Sequence, residues 1–144
     1  MSCKVYVKEE NEKLPVSIGK LGKIARYVFS ETGKAEGDIS LVVCDDPFIT
    51  SLNLKYMQSD SPTDVLAFPM REGKRLPNQG STVGDIVISV NTAARHSKEL
   101  GTTLEQEFVF LFVHGLLHLL GYDHSSRCEK KEMEEITQRV VTEV

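Results

Sequence analysis

His114, His118 and His124 are the residues whose types and spacing are best suited to chemistry in this chain. They are three of its four histidines and fall within the string His114-Gly115-Leu116-Leu117-His118-Leu119-Leu120-Gly121-Tyr122-Asp123-His124. Residues four apart on an α-helix lie about 40° apart around the axis and about 6 Å along it. His114 and His118 therefore share a face, close enough to bind one metal ion. Gly121 has no Cβ and can take the left-handed conformation that ends a helix. The chain can then turn back and deliver His124 from outside the helix as a third ligand. Three neutral imidazoles leave one tetrahedral position open, as in a catalytic zinc site, whereas structural zinc usually has four protein ligands. The competing reading is isolated core histidines, each with its own hydrogen-bond partner. Both rings lie between Phe108-Val109-Phe110-Leu111-Phe112-Val113 and Leu119-Leu120. Buried there without partners they would be unfavourable, and a shared metal satisfies both at once.

The elements that must position these side chains are legible in the patterning. Cys3–Lys8 alternates apolar and polar residues and predicts a strand. Ile18, Leu21, Ala25 and Val28 have helical spacing, with Gly33 as the stop. Ile39–Cys44 is a β-branched run that predicts a buried strand. Asp46 as N-cap and Pro47 at the first helical position predict a helix with Phe48, Leu52 and Tyr56 on one face. Val65–Met70 and Asp85–Val90 predict two more strands around the Pro-, Gly- and basic-rich loop Arg71–Gly84. Asn91 is the expected cap of a short helix ending at Gly101. Thr102 with Glu105 is the expected capping box of the histidine helix, and Ser126 with Glu129 that of the last helix. No repeat or linker interrupts this order. The expectation is one domain, residues 1–144, of class α+β: a small mixed, four-stranded sheet with about five helices. The histidine helix is central because it is apolar nearly all round.

Composition is that of an ordinary globular protein, 40% hydrophobic and 26% charged over 144 residues. A chain of this length buries about two thirds of its unfolded surface and needs no disulfides. Cys3, Cys44 and Cys128 are odd in number and without paired spacing, which predicts reduced thiols and a cytoplasmic protein. The apolar run Phe108–Leu120 is shorter than the roughly 20 residues that cross a bilayer. No charged-then-apolar leader opens the sequence. The net charge of −4 does not itself favour nucleic acid. Charge is uneven, however. Glu129–Val144 carries five acidic residues, while Arg71–Lys98 holds Arg71, Lys74, Arg75, Arg95 and Lys98 against Glu72 and Asp85. Lys20, Lys23 and Arg26 recur along the first helix; either basic set also suits a merely solvated face.

The histidine spacing is similar to the zinc helix of metzincin proteases, H-E-x-x-H-x-x-G-x-x-H, but Gly115 replaces the glutamate that serves those enzymes as general base. The whole string H-G-L-L-H-L-L-G-Y-D-H resembles instead the YbeY family of bacterial endoribonucleases. Upstream, Ser61-Pro62-Thr63-Asp64-Val65-Leu66-Ala67-Phe68-Pro69 is similar to that family's P-T-D-V-L-S-F-P segment. Leu52-Asn53 and Gly84-Asp85-Ile86 also match, so the resemblance runs from about Asp38 to His124. It implies a zincin-like fold and a zinc-dependent, single-strand-specific endoribonuclease of ribosomal RNA maturation, chiefly at the small-subunit 3′ end, and of ribosome quality control. It implies one Zn2+ per chain on His114, His118 and His124, with single-stranded RNA, ribosomal RNA or the ribosome as partner. Two positions depart from the family: Met57 stands where members usually have an arginine after Tyr56, and Ala67 replaces a serine.

Zinc can lower the pKa of coordinated water to about 7 and stabilise charge on a phosphoryl oxygen. The hydroxide can attack phosphorus, or act as base toward the RNA 2′-hydroxyl; the residues leave both routes open. Asp85 and Asp123 are candidate proton carriers. Asp123 fits better as a residue that orients a ligand histidine, Asp64 as a turn cap and Tyr122 as packing. The catalytic base is therefore unassigned. Arg71, Lys74, Arg75 and Arg95 are the candidate RNA-binding cations. Two other readings are a metalloprotease, weakened by Gly115, and a non-catalytic assembly factor whose zinc only holds the turn at Gly121.

Overall fold

The computed structural model describes residues 3–34, 36–57, 65–69, 82–122 and 127–143. Four strands, β1 (Val5–Glu10), β2 (Asp38–Cys44), β3 (Val65–Pro69) and β4 (Thr82–Ser89), form one sheet in the order β1-β2-β4-β3. β1, β2 and β4 run parallel, and β3 pairs antiparallel to β4 at the edge. Five helices complete the fold: α1 (Ile18–Thr32), α2 (Asp46–Met57), α3 (Val90–Leu100), α4 (Leu104–Leu119) and α5 (Arg127–Glu143). The expected α+β class, mixed four-stranded sheet and five helices are all present.

Side chains alternate across the sheet, so each strand serves two layers. Ile39, Leu41 and Val43 of β2 are fully buried in the main core with Leu21, Ile24 and Val28 of α1 and Phe108, Phe112 and Leu116 of α4. The opposite face is thinner: Cys44, Leu66 and Val87 pack with Ile49 of α2. α4 touches α1, α3, α5, β3 and β4, which is why almost every side of it is apolar. Burial raises the thiols of Cys3 to about 11 and Cys44 to about 12, as expected for inert core cysteines.

Several element ends differ from the sequence expectation by one or a few residues. β1 starts at Val5 rather than Cys3, and β4 starts at Thr82 and ends at Ser89. The cap of α2 is Asp45, whose Oδ1 accepts from the Phe48 N–H at 3.1 Å. Asp46 instead accepts from Ser89 Oγ (2.6 Å), Thr92 Oγ1 (2.7 Å) and Arg95 Nη1 (2.7 Å), and so ties α2 to α3. Burial raises the Asp46 pKa, but these hydrogen bonds and the Arg95 charge outweigh it and hold the carboxyl below its usual range. Ser89, not Asn91, caps α3; the Asn91 side chain accepts from the Asp46 N–H at 2.8 Å. The capping box of α4 is Thr103 with Gln106, one residue beyond the expected pair, and each side chain meets the other's backbone N–H. The choice between adjacent Asp, Ser, Thr and Asn residues depends on which one the packed helix leaves in extended backbone. The expected cap Ser126, the motif residues Ser61–Asp64 and most of the basic loop lie outside the described residues.

A candidate metal centre on helix α4

α4 brings His114 and His118 together as their spacing predicts. Both rings are half-buried, with centroids 4.7 Å apart and planes at 73°. Their Nε2 atoms approach to 3.1 Å. With one ring protonated at that atom, the separation suits an N–H···N hydrogen bond. With both lone pairs turned inward it suits a shared metal: two nitrogens about 2.05 Å from a tetrahedral zinc lie about 3.3 Å apart. The donor set is thus compatible with a zinc-class ion. Among the described residues no group of three possible ligands forms; His124 and Asp123 lie outside them.

The turn that ends α4 has the expected geometry. Gly121 has φ +98°, outside the range that side-chain-bearing residues readily adopt. The Tyr122 N–H donates to the Leu117 carbonyl and the Gly121 N–H to the His118 carbonyl, both at 3.0 Å. This paired closure is a Schellman motif, and it reverses the chain one turn after His118. Tyr122 packs against the main core, in keeping with its expected packing role.

Gly115 does more than lack a proton-accepting side chain. A Cβ built on it would lie 2.9 Å from Ile86 Cγ2 and 3.1 Å from Val65 Cγ2. The glycine lets the histidine helix rest directly on β4 and β3, and its vacant side-chain direction points into the sheet. Gly84 plays the matching part at the far end of α4: a Cβ there would lie 2.8 Å from Leu119 Cδ2 and 2.5 Å from the Phe68 carbonyl oxygen. Both glycines act by allowing close approach.

Other candidates are placed elsewhere. Asp85 is not beside the histidine pair. It lines a groove of about 410 Å³ with Ser40, Leu52, Tyr56 and Phe68, on the α2 side of the sheet and away from α4. Its role as a proton carrier at the metal is therefore withdrawn; strand alternation across the bulge at Gly84 decides its side. Arg95 is half-exposed, but its guanidinium meets Asp46 at 2.7 Å and Thr92 Oγ1 at 3.0 Å, so its charge is paired within the fold. Lys20 pairs with Glu105 at 3.0 Å. Arg71, Lys74, Arg75 and the Met57 side chain lie outside the described residues. The fourth histidine, His96, sits on α3 with Nδ1 3.9 Å from Glu107 Oε1.

One neighbour of the pair escaped the sequence reading. Phe110 is 43% exposed, and its ring lies nearly parallel to His114, at 19° and 6.3 Å between centroids. The available signal was its position four residues before His114, on the same face of the helix.

The sequence pattern of the family described as Endoribonuclease YbeY matches residues 6–144. This chain belongs to the YbeY family. It is 39% identical over 145 residues to Endoribonuclease YbeY of Aquifex aeolicus, covering 98% of this chain and 91% of the relative. The corresponding protein of Syntrophotalea carbinolica is 34% identical over 126 residues, 88% of this chain and 84% of the relative. The fold is similar to the solution structure of a Thermotoga maritima protein, with TM-score 0.62 and 24% identity, covering 95% of this chain and 87% of that one.

Proposed function

We propose that this protein is a metal-dependent endoribonuclease that cleaves single-stranded RNA, with ribosomal RNA as its substrate. The resemblance of its motifs to the YbeY family points to the small-subunit 3′ end and to ribosome quality control. The observation that carries the reading is the 3.1 Å convergence of His114 and His118 Nε2 in a chain of this family. His114, His118 and His124 would hold one zinc-class ion, which supplies Lewis acidity toward a phosphoryl oxygen and toward water.

The residues of the chain contribute position. His114 and His118 present their Nε2 atoms from a helix whose backbone is fixed on five neighbours, so little freedom is lost on binding. The Gly121 turn redirects the chain towards Asp123 and His124, and Asp123 is the proposed partner that orients a ligand ring. Gly115 offers no group to accept a proton, which weighs against the protease reading. It also leaves no room for a carboxylate, because that direction is filled by Ile86 and Val65. Among the described residues, no helix is long and apolar enough to cross a membrane.

The test pairs a single-stranded RNA oligomer, its duplex and casein with the wild type and His118→Ala. Wild-type cleavage of the single strand alone, lost in the variant, is expected, together with about one metal ion per chain by elemental analysis. Undiminished cleavage by His118→Ala, or unchanged metal content in a His114→Ala, His118→Ala double variant, would overturn the assignment.

A further inference from the structure

Phe110, His114 and His118 stand in one column on α4, each a turn above the last. The outermost ring is the one left open to solvent: Phe110 is 43% exposed beside a polar pair. It borders a recess of about 270 Å³ between the end of α3, α4 and α5. Leu100 and Val141 form apolar walls, Thr102, Gln106, Thr137 and Gln138 supply a neutral polar edge, and Glu107 adds one buried carboxylate. No lysine or arginine lines the recess among the described residues, so it does not suit a phosphate. A flat apolar ring with amides, hydroxyls and the Glu107 carboxylate nearby suits a planar group without negative charge whose edge carries N–H donors as well as acceptors.

We propose that Phe110 is the stacking platform for a nucleobase flanking the scissile phosphate, with the base edge turned into this recess. The inference rests on the endoribonuclease reading and gives it a substrate-positioning residue. A phosphate held at the histidine pair places the neighbouring base along the column, where the Phe110 plane already lies within 19° of the His114 ring. Single strands are commonly gripped in this way, because every base has a π-face and stacking tolerates sequence. A protein partner fits less well. Three exposed apolar side chains offer far less than the roughly 800 Å² per partner of a standard interface.

The chain contains no tryptophan, so Phe110→Trp installs a single fluorescent reporter at the site. A 2′-O-methyl RNA oligomer, which lacks the free 2′-hydroxyl, should quench that emission on titration. The same oligomer with one abasic position should quench far less at some placement of the gap. Phe110→Ala should raise the KM for a cleavable single-stranded oligomer about 5- to 150-fold, the range that corresponds to one lost base stack, with kcat little changed. Phe110→Tyr should restore it. An unchanged KM in Phe110→Ala, while the wild type cleaves RNA, would overturn the inference and leave the endoribonuclease reading standing. Quenching that ignores the abasic gap at every position would overturn it as well. So would a Phe110→Ala variant with normal KM that changes from dimer to monomer on gel filtration, which would assign the face to a protein contact. Wild-type protein that neither cleaves RNA nor, as Phe110→Trp, is quenched by it would overturn both readings.

Discussion

Replacing Gly115 tests why the histidine helix carries a glycine at the position where metzincin proteases carry their base. In the interior of a helix, Gly→Ala normally stabilises by about 1 kcal/mol. At Gly115 the added methyl would meet Ile86 Cγ2 at 2.9 Å and Val65 Cγ2 at 3.1 Å. Ile86 is fully buried on a central strand and cannot swing aside. Forcing a methyl into such packing costs about 1–3 kcal/mol, so Gly115→Ala should be neutral to about 2 kcal/mol destabilising. Gly22 in α1 is the control, because its added Cβ would meet only the flexible Arg26 guanidinium at 3.7 Å. Gly22→Ala should gain about 0.5–1 kcal/mol, and at this chain length 1 kcal/mol corresponds to roughly 3–4 °C in Tm. Calorimetry of the two variants should therefore place Gly22→Ala above the wild type and Gly115→Ala level with it or several degrees below. Gly115→Glu would also bury a carboxylate against the sheet, at a cost of more than about 3 kcal/mol, and should gain no peptidase activity while losing much of its stability. A Gly115→Ala protein that gains as much as Gly22→Ala would refute the close-approach argument. So would a Gly115→Glu protein with an unchanged Tm.

Asp46→Asn should lower stability by about 1–2 kcal/mol at pH 7, since the carboxylate accepts from Ser89, Thr92 and Arg95 and the Arg95 arm is too exposed to add much. The Asp46 pKa is lowered in the fold, so its contribution is complete above the unfolded carboxylate value of about 3.9 and disappears as pH falls through the lower, folded value. Urea titrations should show the wild type and Asp46→Asn converging in strong acid, and a constant gap would contradict this. The thiols of Cys3 and Cys44, raised to about 11 and about 12 by burial, should resist a disulfide reagent at pH 8 in a Cys128→Ser background until denaturant is added. Rapid labelling of the native protein would show that those core positions open. Thr103→Ala should cost about 1 kcal/mol through the lost capping box, whereas Thr102→Ala should have little effect; equal losses in thermal melts would count against the assigned cap.

Much of this protein was legible along the chain because its signals are local. Periodicity marks α4 and the buried strand β2. A four-residue interval decides that His114 and His118 share a face, and a glycine after an apolar helix predicts the turn at Gly121. These follow from backbone geometry and need no knowledge of what lies across the core. Tertiary structure decided what depends on approach between distant segments. Asp46 was legible as a helix start, but the neighbouring Asp45 caps the helix, and only the packing of α2 on α3 turns Asp46 towards Ser89, Thr92 and Arg95. Asp85 was a plausible partner for the histidines until strand alternation and the bulge beside Gly84 set it on the other face of the sheet. Gly115 was legible as a missing base, while its reason lies in Ile86 and Val65, which no local pattern could bring beneath it. Phe110 was one apolar residue in a run of them; only the arrangement of α3 and α5 around α4 leaves its ring exposed beside His114. Residue type and spacing state what a side chain is able to do, and the closure of the core determines which of those capacities meet.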